Sequence, residues 1–254
     1  MRVPSMLHKV FTGFDYLGYL IKSNSLHGTH SPFVYHWADS VLYAPKLHSH
    51  HLVEWARTQS LNSRKKLDFE AGKSLHSWVQ EREPSSKYGQ LLRQHILQHR
   101  PQRLLHYGTG LGLLPAYCLE LEAGIQPEVH AFLDHAGWLP YLQTTLDLVA
   151  QPAQSWQIHA DLDWHLTWDR EDLILIDAVW LSRQNKDEWF ECWDRLSVKP
   201  QSVWIYNVQH SETTRNWASW LRFSNSFNIG VDLFWTICLF DRPEQASEQF
   251  TLRY

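Results

Sequence analysis

The stretch best suited to hold a ligand is Leu104-Leu105-His106-Tyr107-Gly108-Thr109-Gly110-Leu111-Gly112, with glycine at three alternate positions. Such spacing permits a tight turn with positive φ and leaves backbone that no Cβ shields. The apolar run after Gly112 reads as a helix, and its first amides would face a polar or anionic group lodged in the turn. Side chains able to take a proton stand elsewhere. Asp177 closes an apolar run, His210 lies just ahead of Ser211-Glu212, and His30 sits in His27-Gly28-Thr29-His30-Ser31-Pro32-Phe33. Each has a structural reading beside the chemical one. Asp177 would cap the next loop, and His210 would merely precede a helix. His30 and Ser31 would cap the following helix while Phe33 packs inward, the reading that physics favours over a lid.

Composition narrows the chemistry. The chain has 254 residues, net charge −4 and no basic stripe beyond Arg64-Lys65-Lys66, which argues against a nucleic-acid partner. Three widely spaced cysteines without a C-x-x-C suggest a reducing, cytoplasmic setting rather than a disulfide framework or a zinc ribbon. Residues 1–22 are interrupted by Lys9 and Asp15, so neither a signal peptide nor a membrane span is expected. His48, His50 and His51 invite a metal site, but adjacent histidines diverge, and the Pro45-led loop reads as surface. No metal ligand is assigned.

The elements that must position these residues follow from periodicity. Leu7, Val10, Phe11, Phe14, Leu17, Leu20 and Ile21 mark one face of a helix over 5–22, and a second helix runs from Val34 to Leu42. Residues 45–87 read as loops around one or two short helices, with Leu67-Asp68-Phe69-Glu70-Ala71-Gly72-Lys73 inside them and no assignable chemistry. A helix over 88–99 stops at Pro101. Thereafter strands and helices alternate: strands at 104–107, 128–133, 155–159, 172–177 and 202–206, helices at 113–122, 139–149, 186–196 and 213–223. Two last runs, 227–233 and 235–240, have no helix between them and read as an antiparallel pair. The expected fold is α/β, a parallel sheet covered on both faces and binding at the carboxyl ends of its strands. Residues 1–87 would form an N-terminal helical extension or lid and residues 88–254 the Rossmann-like domain.

Five β-α units, the G-x-G-x-G turn and the closing hairpin together resemble a class I S-adenosylmethionine-dependent methyltransferase, with a seven-stranded sheet. The HG-x-HSPF motif at 27–33, the Asp68–Gly72 stretch and the ending from Val231 to Tyr254 resemble a bacterial, O-methyltransferase-like subfamily. The resemblance implies S-adenosylmethionine as cofactor. Gly108, Thr109, Gly110 and Gly112 would receive its methionine part, Asp161 would meet the adenine amino group, and Asp177 would lie nearest the transferred methyl. Three positions depart from the family pattern. His106 replaces an acid near the cofactor's charged amino-acid end. Leu133 stands where an acid holds the ribose, with Asp134 one residue late. Tyr206-Asn207 replaces the Asp-Asn of the metal-dependent members.

The expected activity is metal-independent methyl transfer to an oxygen or nitrogen of a small-molecule acceptor, with Asp177, His210 and His30 as candidate bases and His106, Asp134 and Asp161 among the cofactor contacts. The departures leave a rival: a protein that keeps the fold, has lost catalysis and serves as a binding or scaffold module. A nucleotide-binding oxidoreductase is disfavoured by the terminal hairpin.

Overall fold

The computed structural model describes residues 6–25, 28–45, 51–121, 125–149, 155–159, 168–195, 198–224 and 226–254. Its first part comprises α1 (Met6–Lys22), α2 (Pro32–Trp37) continuing into a π-helical turn, α3 (His51–Asn62), a hairpin of β1 (Lys66–Leu67) and β2 (Lys73–Ser74), α4 (Leu75–Arg82) and α5 (Ser86–His99). Then follow β3 (Arg103–Thr109), α6 (Leu113–Leu119), β4 (Glu128–Leu133), α7 (Leu139–Val149), β5 (Trp156–His159), β6 (Asp172–Asp177), α8 (Ala178–Leu181) and α9 (Lys186–Arg195). The chain ends with β7 (Ser202–Tyr206), α10 (Glu212–Phe223), β8 (Ile229–Asp232), β9 (Thr236–Phe240) and β10 (Glu248–Thr251).

The main sheet runs β10-β8-β9-β7-β6-β3-β4-β5. Strands β3 to β7 pair parallel with one another, and β9 is antiparallel to both β7 and β8. The sheet has eight strands rather than the expected seven, because β10 pairs parallel to the outer edge of β8. An open edge of unpaired amides invites such a cover. The four residues Glu248–Thr251 are too short and too polar to announce themselves as a strand.

The two faces follow from the two-residue alternation of side chains along a strand. Leu104, Leu173, Leu175, Trp204 and Tyr206 point to one core, shared with Val34, Trp37, Val53, Trp78 and Leu92 from the helices before β3. Leu105, Tyr107, Ile174, Ile176, Val203 and Ile205 point to the other, where Trp168, Trp180, Trp189, Trp193 and Trp217 pack. That second core accounts for much of the chain's unusual tryptophan content.

Ser31 caps α2, its Oγ accepting from the Val34 amide, and Phe33 packs edge-on to Phe240 with ring centroids 5.2 Å apart. The end of α1 is tied to the C-terminus, where the Asn24 amide donates to Thr251 O at 2.8 Å and Tyr19 donates to Leu252 O. The apolar face expected to bury α1 does not do so throughout: Tyr16 and Tyr19 meet Phe234, whereas Phe14, Leu17 and Ile21 are exposed. Among the described residues no helix is long and apolar enough to cross a membrane.

His95 shows how tightly the first core is specified. Its Nδ1 accepts from Trp37 Nε1 at 3.2 Å, which leaves Nε2 to donate to Ser202 Oγ at 3.1 Å. Burial, assisted by His99 and Arg242, pushes its pKa well below the ordinary 6.5. The unfolded chain therefore binds a proton that the folded chain refuses, and stability is lost as pH falls below about 6.5. Between pH 7 and pH 5 this single histidine lowers stability, by up to about 2 kcal/mol, the limit set by the unfolded histidine's ordinary pKa. Calorimetric melting at the two pH values should show the fall, and His95→Asn should flatten the slope.

Candidate functional site

The glycine turn leaves β3 at the carboxyl end of the sheet. Gly108 has φ +81, and a Cβ there would lie 2.6 Å from Trp180 Cβ and 2.9 Å from Asp177 Cβ, so both conformation and space demand glycine. Gly110 is different. Its backbone is not left-handed, yet a Cβ would overlap Trp78 Cη2 and lie 2.7 Å from Cζ2. The surface that glycine leaves bare is thus covered by the indole of α4. Gly112, at φ +79, precedes α6. Thr109 is buried and its hydroxyl donates to His106 O at 2.8 Å.

Two acids converge beside this turn. Asp177 ends β6, and its Oδ1 accepts from the Val179 amide at 2.9 Å and from Asn207 Nδ2 at 3.3 Å. Asp134, just past β4, has its amide bonded to Thr109 O at 3.2 Å. Both side chains are almost wholly buried, and Arg82 of α4 lies between them, Nη2 being 2.5 Å from Asp177 Oδ2 and 3.4 Å from Asp134 Oδ2. Arg183 adds a second cation at 2.9 Å from Asp134 Oδ1. The Asn207 side chain also donates to Arg82 O at 2.8 Å, fixing the end of α4 to the end of β7. One residue on, Glu83 Oε1 accepts the Leu111 amide of the glycine turn at 3.1 Å. Burial raises the Glu83 pKa to about 7, opposed by Arg57 and by the Leu111 amide.

Other expected residues are distributed unevenly. His106 is buried on β3, its Nε2 is 2.8 Å from Tyr206 Oη, and burial lowers its pKa to about 4. A neutral imidazole–phenol pair therefore stands at this position. Leu133 belongs to the apolar core and Asp134 faces the site, so the strand-end acid comes from the later residue. His210 lies in the turn after β7, its pKa lowered by burial and by Arg82 and raised in turn by Asp177. His30 is not gathered with them. It is exposed, and its neighbours Ser31 and Phe33 hold to Gln245 and Phe240, at the opposite end of the sheet from Tyr206. Asp161, and with it His27, His48 and His50, lies outside the described residues.

Beside the acids opens a cleft of about 440 Å³, lined by Glu83, Tyr88, Tyr206, Asn207, Trp235 and Tyr254 among others. The lining residues from α4 and its exit, and Phe69, were hidden in sequence. Phe69 stacks on His135 with centroids 5.2 Å apart, just past Asp134. Trp78 and Arg82 are spaced as one helix face, Glu83 follows as the extended residue that ends the helix, and no motif marks them.

Reversing the strand order from β5 to β8 gives five parallel strands with the first at the centre, closed by an antiparallel hairpin. This topology recurs in solved structures. An O-methyltransferase from Bacillus cereus in complex with SAH aligns at TM-score 0.52 and 12% identity, covering 81% of this chain and 98% of that one. A methyltransferase from Geobacter sulfurreducens aligns at TM-score 0.51 and 14% identity over 79% and 93%. A cofactor-bound protein from MTB aligns at TM-score 0.52 and 16% identity over 84% and 99%. The fold is that of the class I methyltransferases. No family model matches the sequence, and no curated protein matches it.

S-adenosylmethionine does not fit this methyltransferase-fold seat as it stands. The bare face of Gly110 carries Trp78, the two acids carry Arg82, and the turn amide of Leu111 carries Glu83. Glu83 itself supplies a test of the arrangement. Its carboxyl keeps a proton in the folded chain up to about pH 7 but loses it near 4.5 when unfolded. The folded state then binds more protons between these values, so this group's contribution to stability falls as pH rises through that window. Glu83→Gln keeps an acceptor for Leu111 and should be about 1–3 kcal/mol more stable than the parent above pH 7, with a steeper loss of stability from pH 7 to pH 5, because the group opposing the buried histidines is gone. Chemical denaturation across that range measures both.

Proposed function

We propose that this chain transfers the methyl group of S-adenosylmethionine to an oxygen or nitrogen of a small-molecule acceptor, without a metal ion. The observation that carries the reading is the gathering of the glycine turn, Asp134 and Asp177 at the carboxyl ends of three strands, with an aromatic-lined cleft alongside. In this fold class ligands bind at that end of the sheet. The cofactor would supply an activated methyl on a sulfonium. The chain's own task is to align the acceptor and accept one proton.

The roles divide by the bonds already made. Asp177 spends its carboxylate oxygens on Arg82, the Val179 amide and Asn207, which suits a positioning anion better than a base. His210, with its pKa lowered, is neutral near pH 7 and able to take a proton, so it is the preferred base. Asp134 is the acid for the ribose hydroxyls, and His106 a neutral contact near the cofactor's amino-acid end. Residues 1–87 act as a lid over the domain of 88–254, and the acceptor lies in the cleft against Tyr88, Tyr206 and Trp235. Tyr206 replaces a carboxylate ligand of the metal-dependent pattern, which supports metal independence.

A second reading draws on the filled seat itself: a non-catalytic module whose α4 has replaced the cofactor for good. Calorimetric titration with S-adenosylhomocysteine separates the two. The enzyme reading expects saturable binding, weakened about tenfold to a hundredfold in Asp134→Ala by loss of charge-assisted hydrogen bonds, and unchanged by EDTA. Absence of binding by every form at millimolar ligand would leave the module.

A further inference from the structure

The end of α4 sets a cation and a hydrogen-bond acceptor where a zwitterionic ligand would place its own. Arg82 presents a cation to two buried carboxylates, and the Glu83 carboxyl accepts from the turn amide of Leu111. The outer edge of the Trp78 indole meets Gly110, and its ring lies 4.1 Å, centroid to centroid, from Trp138. Glycine at 110 is required by the indole alone, since the backbone there is open to any residue. Yet the fit is incomplete. Among the described residues Trp78 Nε1, Arg82 Nε and His106 Nδ1 are buried without hydrogen-bond partners, as are Trp138, Trp193 and Trp204 Nε1 in the core, so here three such atoms meet at one place.

The segment is also short and bounded by turns. Eight residues of helix lie between Ala71-Gly72, both left-handed at φ +52 and +73, and an extended Glu83 leading into Pro84. Outward rotation of α4 between these two points would withdraw Trp78, Arg82 and Glu83 together. It would also strand the negative charges of Asp134 and Asp177 unless an incoming ligand carries a positive group, which S-adenosylmethionine does.

We infer that the end of α4 is a resident occupant of the cofactor seat, a strap that excludes S-adenosylmethionine until α4 swings outward. The inference rests on the methyl-transfer reading above. A double-mutant cycle and a titration test it on the full chain. If Trp78 covers Gly110, Gly110→Ala should lower Tm by about 5 °C or more in the parent and by about 1 °C or less in a Trp78→Ala background. Trp78→Ala should bind S-adenosylhomocysteine at least tenfold tighter than the parent, because releasing α4 costs less once the indole no longer covers Gly110. In the parent, saturating S-adenosylhomocysteine should raise hydrogen exchange at the α4 amides, a readout that needs no variant to fold.

Additive costs in the cycle would show that the indole does not sit on Gly110 and would overturn the inference. So would equal affinity in the parent and Trp78→Ala, or α4 amides that become more protected on binding. Those results leave methyl transfer standing. Failure of every form to bind, with the coupling intact, is a different outcome. It removes the cofactor reading and the strap with it, and makes α4 a fixed filling.

Discussion

The interaction on which the site depends is the guanidinium of Arg82 between the carboxylates of Asp134 and Asp177. The fold brings these acids together at the ends of β4 and β6, on either side of the central β3. Both are shielded from water, and burying a carboxylate is costly unless a cation or several donors stand beside it. Removing one partner of such a buried group typically costs about 3–5 kcal/mol, whereas an exposed pair is worth little. Much of the local structure is arranged to keep that cation in place. Asn207 holds the Arg82 carbonyl, Arg183 shares the load on Asp134, and Trp78 lies under the guanidinium with its ring centre 5.7 Å away.

Everything that brings Arg82 to this point comes from the first core. The face of the sheet carrying Leu104, Leu173 and Trp204 packs against helices that precede β3 in the chain, so α4 is pressed onto the carboxyl ends of the strands. The opposite face is a nearly separate aromatic core that meets the site where Trp180 backs Gly108. At the far edge β10, the end of α1 and Arg222 close the sheet. Arg222 bonds Asp232 at 2.8 Å and the Phe250 carbonyl at 2.9 Å. The chain's two ends therefore stabilise the hairpin side, while the segment between them governs the ligand side.

A filled seat and a ligand-binding fold are compatible in energetic terms. A ligand that binds only the open arrangement sees its affinity reduced by the fraction of molecules that are open. An unsatisfied Trp78 Nε1 and Arg82 Nε keep the closed arrangement from being arbitrarily deep.

The five parallel strands, the hairpin and the places of Gly108, Asp177 and Tyr206 were all legible in the sequence, because strand alternation and glycine turns are local signals. So was the replacement of an acid by His106, whereas the neutrality of that imidazole comes from its burial. Three decisions belonged to the tertiary structure. Asp134 rather than Leu133 faces the site, because β3 breaks register with β4 at Gly108 and the chain leaves the strand at Leu133. His30 lies away from the site, because Ser31 and Phe33 are held at the other end of β9. And Trp78, Arg82 and Glu83 occupy the seat, because packing across the first core carries a helix from residues 75–82 onto a turn at 108–112. Contacts between segments that far apart depend on how the whole core closes, and no short window of sequence contains that information.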